Sequence, residues 1–141
     1  MVTIFLVVSA IVAVAVVVHY EILFQLTVLM PKLKMRHRFR IVLGVLGALV
    51  AHVIEIWLFA LAYYAMHHSD DWGYLEGAFS GSLRDCVYFS FTTFTTLGFG
   101  DIAPIGDIRY LTGTESLTGL VLITWTASFL YVEMRKFWDS H

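Results

Sequence analysis

Residues 92–101 read Thr92-Thr93-Phe94-Thr95-Thr96-Leu97-Gly98-Phe99-Gly100-Asp101, and the alternating glycines decide how the chain has to be built. Glycine reaches backbone conformations closed to other residues, and alternating such conformations lets successive carbonyl oxygens point to one side. An apolar, aromatic stretch, Leu83 to Phe94, comes immediately before. It is too short to cross a bilayer, and an apolar run of roughly 10–14 residues reads instead as a buried or re-entrant helix. Ser82 is a plausible N-cap with Asp85 three residues on, close to a capping box. The helix, set at 82–95, should stop near Thr95 because the glycines follow at once.

Outward from this segment the chain is strongly apolar. Of 141 residues, 59% are hydrophobic and 14% charged; a soluble domain carries roughly 45–50% apolar and about 25% charged residues. Three long apolar runs hold the excess: Val2 to about Met30, Ile41 to Ala65, and Tyr110 to Val132. Each exceeds the roughly 20 residues that a transmembrane helix needs. In lipid, runs of this length have to close their backbone hydrogen bonds as helices. Ala13-Val14-Ala15 resembles a signal-peptide cleavage site, but no basic patch precedes it and the apolar run continues past it, so a retained helix is expected. The single cysteine, Cys86, excludes an internal disulfide and a cysteine-based metal cage, and reads as a small core residue.

Charge gives an orientation. Lys32, Lys34, Arg36, Arg38 and Arg40 share one linker, and Arg135 and Lys136 follow the third run. Positive residues mark cytoplasmic ends, which puts residues 31–40 and the C-terminus inside, and the N-terminus and residues 66–109 outside. The outer segment carries Asp70, Asp71, Glu76, Asp85, Asp101 and Asp107 against Arg84 and Arg109, an acidic mouth that would concentrate cations. The basic linker would touch anionic lipid headgroups. Its arginines are spaced by two in a hydrophilic stretch, unlike a voltage sensor.

Non-helical backbone at membrane depth is tolerated where it lines water inside protein. A ring of carbonyls from four chains can replace the hydration shell of a cation, and the Thr96 hydroxyl would add a ring at the inner end. The short helix aims its C-terminal dipole end at that axis. One such segment per chain means that four chains must meet, and a homotetramer is the closed solution.

With these residues the sequence resembles the two-helix, one-pore-loop potassium channels, whose filter consensus is Thr-Val-Gly-Tyr-Gly-Asp. Thr95-Thr96-Leu97-Gly98-Phe99-Gly100-Asp101 is most similar to the second pore of two-pore-domain potassium channels and their small bacterial relatives. The likeness covers residues 41–136. It implies an all-α membrane fold with three transmembrane helices per chain, a re-entrant pore helix and an extended filter, assembled as a tetramer. The segments are an extra N-terminal helix (1–30), a basic cytoplasmic linker (31–40), outer helix (41–65), turret (66–81), pore helix (82–95), filter (96–100), outer loop (101–108), inner helix (109–136) and a short tail (137–141). Potassium would bind at Thr96, Leu97, Gly98, Phe99 and Gly100, with no other cofactor and no catalysis. A bacterial inner membrane is implied, and no nucleic-acid partner is expected.

Departures from the family pattern lie at Leu97, at Phe99, which lacks a tyrosine hydroxyl, and at Tyr88 and Phe89, where tryptophans are common. Thr95, Asp101, Tyr88, Phe89 and Thr92 are the expected filter supports. The looser cuff leads to an expectation of relaxed selectivity or filter-based inactivation. The alternatives are a non-selective cation channel, a non-conducting accessory subunit, or a haem protein pairing His52 with His19, the latter placed near the inner end.

Ionisable groups inside a membrane segment are costly and mark candidate sites. Glu55 and His52 share a face of the second helix, and Glu115 is expected at similar depth, forming one network with Thr92 or Thr93. That network either braces the filter and senses pH or merely joins helices. Gly119 is a candidate hinge or a close-packing position. Thr118, Leu122 and Thr126 could line an inner cavity, narrowed by Leu122 and Phe129. His67 and His68 beside Asp70 and Asp71 could bind a divalent ion, though a solvated turret fits their spacing better. Nine residues after Val132 leave no soluble ligand domain, so gating is expected from filter, inner helices, lipid, tension or protons.

Overall fold

A computed structural model describes residues 2–139; residues 140 and 141 of the expected tail lie outside the described residues. The three apolar runs form helices α1 (Val2–Leu29), α2 (His37–His67) and α4 (Ile108–Trp138), each long and apolar enough to cross a membrane. Between α2 and α4 come β1 (Tyr74–Gly77), α3 (Leu83–Phe94) and β2 (Ile102–Ile105). Pro31 turns the end of α1 into a short 3-10 segment, Met30–Lys32, because proline disfavours helical backbone in the residue before it. The linker is shorter than expected: α2 begins at His37 and takes Arg38 and Arg40 into its first turns. Likewise α4 runs to Trp138, into the expected tail.

The all-α expectation needs one correction. β1 and β2 pair antiparallel, Tyr74 opposite Ile105 and Gly77 opposite Ile102. The strand before α3 is thereby hydrogen-bonded to the strand after the glycine-rich segment 96–100. Gly77, at φ 102°, lies so close to the Asp101 carbonyl that a Cβ would overlap it.

The helices close on a common core. α3 packs against α2 and α4, and α1 packs against the same two helices of its own chain. Phe59, Tyr63, Phe94, Leu111 and Leu122 are fully or almost fully buried there, with Ile4 and Val8 of α1. The rings of Tyr63 and Phe89 meet edge-on, centroids 5.0 Å apart. Towards the inner ends, Leu23, Leu26, Met30 and Ala48 form a second cluster, with Phe129 packed against it. Small residues let helices approach in lipid, where packing rather than hydrophobicity drives association. A Cβ at Gly119 would run into the Phe94 carbonyl, and one at Gly47 into the Leu26 side chain. Gly119 is therefore a close-packing position.

Candidate functional site

Helix α3, the expected pore helix, is held at both ends. At its start the Ser82 hydroxyl accepts from the Asp85 backbone N–H at 3.2 Å. The Asp85 carboxylate reaches past the cap to Ser80, accepting from its N–H at 2.8 Å and its hydroxyl at 2.5 Å. These bonds hold the Asp85 carboxyl below its ordinary range. At the other end, the Thr95 hydroxyl donates to the Phe91 carbonyl at 2.6 Å. The Thr96 N–H bonds to Thr93 O and the Gly98 N–H to Thr92 O, both at 3.0 Å. The first residues after α3 are thus anchored to its last turn.

Across the next five residues the backbone alternates in hand. Thr96, Gly98 and Gly100 have φ of 60°, 55° and 80°, and Leu97 and Phe99 between them do not enter the positive region. For threonine this conformation costs of order 1–3 kcal/mol, and such strain persists where the surroundings impose it. The Leu97 and Phe99 side chains are 60% and 64% exposed on the single chain. Beyond Gly100, the Tyr88 hydroxyl on α3 donates to the Asp101 carboxylate at 2.7 Å, and its ring stacks parallel to Phe99 at 6.5 Å. Ala78 N–H bonds to the Asp101 carbonyl at 2.8 Å. Of the expected supports, Tyr88, Thr95 and Asp101 therefore make contacts around the segment, while Phe89 turns into the core against Tyr63. Thr92 contributes its carbonyl, its hydroxyl bonding to Phe89 O.

The expected single acid network separates into two. Glu115 accepts from the Tyr63 hydroxyl at 2.6 Å and from Ser90 at 2.5 Å, and Ser90 also lies 2.8 Å from the Ile56 carbonyl. The direct partners are Tyr63 and Ser90; the Thr93 side chain joins this network through Tyr63, and its carbonyl accepts from Ser116 on α4. Glu55 lies deeper. It stands twelve residues from the outer end of α2, whereas Glu115 stands seven into α4; at 1.5 Å per residue these are depths of about 18 and about 10 Å.

Glu55 instead receives two histidines. His19 Nδ1 is 2.8 Å from one carboxylate oxygen and His52 Nδ1 2.9 Å from the other. The Nε2 atoms converge on the Thr126 hydroxyl, at 3.4 Å from His19 and 3.0 Å from His52. His19 is hence not near the inner end but at the level of Glu55, fully buried. The haem reading fails on this geometry: the two rings lie 5.3 Å apart and are bridged on both sides, with no room for a macrocycle between them.

Two further expectations change. Thr118, Leu122 and Thr126 are buried within the chain, the Thr118 hydroxyl bonding to its own helix at Thr114 O. Thr126 lines, with His52, Phe94 and Ile123, an apolar pocket of about 440 Å³ between α2, the end of α3 and α4. His67 accepts from the Leu75 N–H and His68 bonds to the Tyr64 carbonyl, so the turret histidines serve local structure. Sequence reasoning missed Tyr63 and Ser90, and singled out Thr126 for a cavity rather than for the histidines it meets. The signal for Ser90 was available, as a polar residue inside the apolar stretch of the pore helix.

The sequence model of the ion-channel family matches residues 51–136, more than half of the chain, from the middle of α2 through the filter segment to the end of α4. The chain belongs to the ion-channel family. One relative of this ion-channel chain is the inward rectifier potassium channel Kirbac3.1 of Paramagnetospirillum magnetotacticum, 35% identical over 80 residues. The aligned part is 56% of this chain and 25% of the relative, so the chain spans about a quarter of that protein's length. No solved structure matches. Family and apolar helices together make this ion-channel chain an integral membrane protein, and the family is one of channels rather than enzymes. α1, with His19, lies outside the matched residues.

Proposed function

We propose that the chain is one of four identical subunits of a potassium-selective channel that passes potassium passively through a central pore. The observation that carries this reading is the alternation of backbone hand over Thr96–Gly100, starting where α3 ends. Such alternation turns successive carbonyls to one side, and four copies of that row make the oxygen cage that replaces a potassium hydration shell. The potassium channel among its relatives supports the choice of ion. The finer likeness, to the second pore of two-pore-domain channels and small bacterial relatives, rests on Phe99 within the heptapeptide.

Two features support the tetramer. Leu97 and Phe99 stay largely exposed on the single chain, Phe99 with the Tyr88 ring beside it, as expected of side chains that pack on a neighbour. On α4, Leu117, Val121, Thr124 and Ser128, at spacing four, three, four, remain exposed on the single chain, and this stripe would line an inner cavity in the tetramer. Basic residues around Lys32–Arg40 and at Arg135 and Lys136 would face the cytoplasm and anionic headgroups of a bacterial inner membrane. The second reading, a non-selective cation pore, draws on Phe99, which offers no hydroxyl to the pore helix.

Ion flux from proteoliposomes tests the proposal. Potassium gradients are expected to drive a barium-blocked flux that sodium gradients do not reproduce. Equal fluxes would favour the non-selective pore, and intact tetramers passing neither ion would favour an accessory subunit.

A further inference from the structure

The cluster His19–Glu55–His52–Thr126 lies in the chain's interior, next to Phe94 at the end of α3. One nitrogen from each histidine and one oxygen of Glu55 lie within 4.8 Å of one another. Among the described residues no other such trio of histidine, cysteine or acidic side chains occurs. Nothing about conduction requires it.

The hydrogens in the cluster show what it is built for. Both Nδ1 atoms face Glu55 and both Nε2 atoms face Thr126. Two neutral imidazoles protonated at Nδ1 satisfy the carboxylate, but both Nε2 atoms then need a donor. The Thr126 hydroxyl has one hydrogen to give. Placing a cation between the two Nδ1 atoms and the carboxylate removes the conflict. Each ring is then protonated at Nε2, and both N–H groups donate to the two lone pairs of the Thr126 oxygen. A ligating histidine almost always hands its second N–H to such an acceptor, which fixes its tautomer and orientation.

We propose that His19, His52 and Glu55 form a structural binding site for a divalent transition-metal ion of the zinc type. Two imidazoles and a carboxylate suit zinc, whereas calcium and magnesium seek shells made of oxygen. Four-coordinate zinc, with bonds of about 2.0–2.2 Å, holds its ligand atoms about 3.4 Å apart. Each histidine would therefore back off Glu55 by about half an ångström. The ion and one carboxylate leave a net positive charge in an apolar setting. Aromatic rings flank that charge, Trp125 beside His19 at 5.0 Å and Phe94 beside His52 at 5.7 Å between centroids. Their π faces favour cationic neighbours.

The site joins three helices. His19 comes from α1, His52 and Glu55 from α2, and the accepting hydroxyl from α4. Its occupant would pin the extra helix to the two helices that flank the pore, behind Phe94 at the end of α3.

The test is metal binding by the full-length, detergent-purified protein, stripped with chelator and titrated with Co2+ as a spectroscopic probe for zinc. One Co2+ per chain is expected, with the visible absorption of a four-coordinate ion, displaced by Zn2+, and with a thermal midpoint that rises on adding either ion. His19→Gln and His52→Gln should each abolish the absorption. Thr126→Val should keep the one-to-one stoichiometry but weaken affinity by about 10–100-fold. A His67→Gln/His68→Gln double variant should bind as the parent does. Folded parent protein that takes up no Co2+ would overturn the proposal and leave an extra proton as the cluster's occupant. Unchanged uptake by a folded His19→Gln protein would overturn it equally. Binding is read without ion flux, so the result stands apart from the channel reading.

Discussion

Glu115 has a hydroxyl on each carboxylate oxygen, Tyr63 on one and Ser90 on the other, and Ser90 also faces the Ile56 carbonyl. Glutamine keeps an oxygen for one hydroxyl and offers an N–H to the other, so Glu115→Gln should keep thermal stability close to the parent. Glu115→Leu strands two buried hydroxyls, at about 1–3 kcal/mol each, and should lower the unfolding midpoint measurably. An acid-dependent current that Glu115→Gln leaves unchanged would assign this group to structure alone. At Gly119, alanine would press on the Phe94 carbonyl, and a loss of about 1–3 kcal/mol is expected in thermal unfolding. Glu115 was legible in the sequence because a lone acid in an apolar run stands out. Its partners were not. Serine and threonine hydroxyls can bond their own helix at i−4, as Thr112, Thr114 and Thr118 do here, so their positions alone do not say which face they occupy. That ambiguity is why Thr118 and Thr126 read as cavity-lining.

At the scale of elements, helix α3 was legible almost to the residue, because a cap, an apolar run and two glycines bound it on both sides. Removing the cap with Ser82→Ala should cost about 1 kcal/mol. The Asp85 carboxyl, bound by the Ser80 hydroxyl and N–H, stays ionised to lower pH in the folded chain than in the unfolded one. Its contribution is therefore present above the usual carboxylate range and is lost as pH falls through the depressed folded value. The stability gap between the parent and Asp85→Asn should accordingly be constant near neutrality and close below about pH 4. At the far end, Tyr88 gives the cuff one firm hydrogen bond that counting Tyr88 and Phe89 as missing tryptophans did not foresee. Tyr88→Phe should speed current decay under sustained potassium flux; an unchanged time course would mean that Asp101 is held by its backbone alone. The two strands escaped notice for a physical reason. Four residues are too few to show a period of two, Pro104 argues against a strand interior, and the partners are separated by the whole pore helix and filter.

For the molecule as a whole, hydropathy displayed the three helices long and apolar enough to cross a membrane, because lipid constrains every residue of a span. Where α1 docks was hidden, since a helix apolar on nearly all sides has no preferred face to read. His19 was the one mark of an inward face, and its partners are 36 and 107 residues away in sequence. A chain lacking residues 2–32 would uncover Glu55 and the α2–α4 face, and should yield fewer tetramers on size exclusion than the parent. The β1–β2 ladder has a different consequence. Because Tyr74 and Ile105 are neighbours across it, everything from one to the other begins and ends at the same place. The entropy of closing that excursion depends on its own length and not on the helices around it. Residues 74–105 thus form a cassette with adjoining ends, which could be lifted out and grafted as one piece between the helices of another channel with its internal geometry already set.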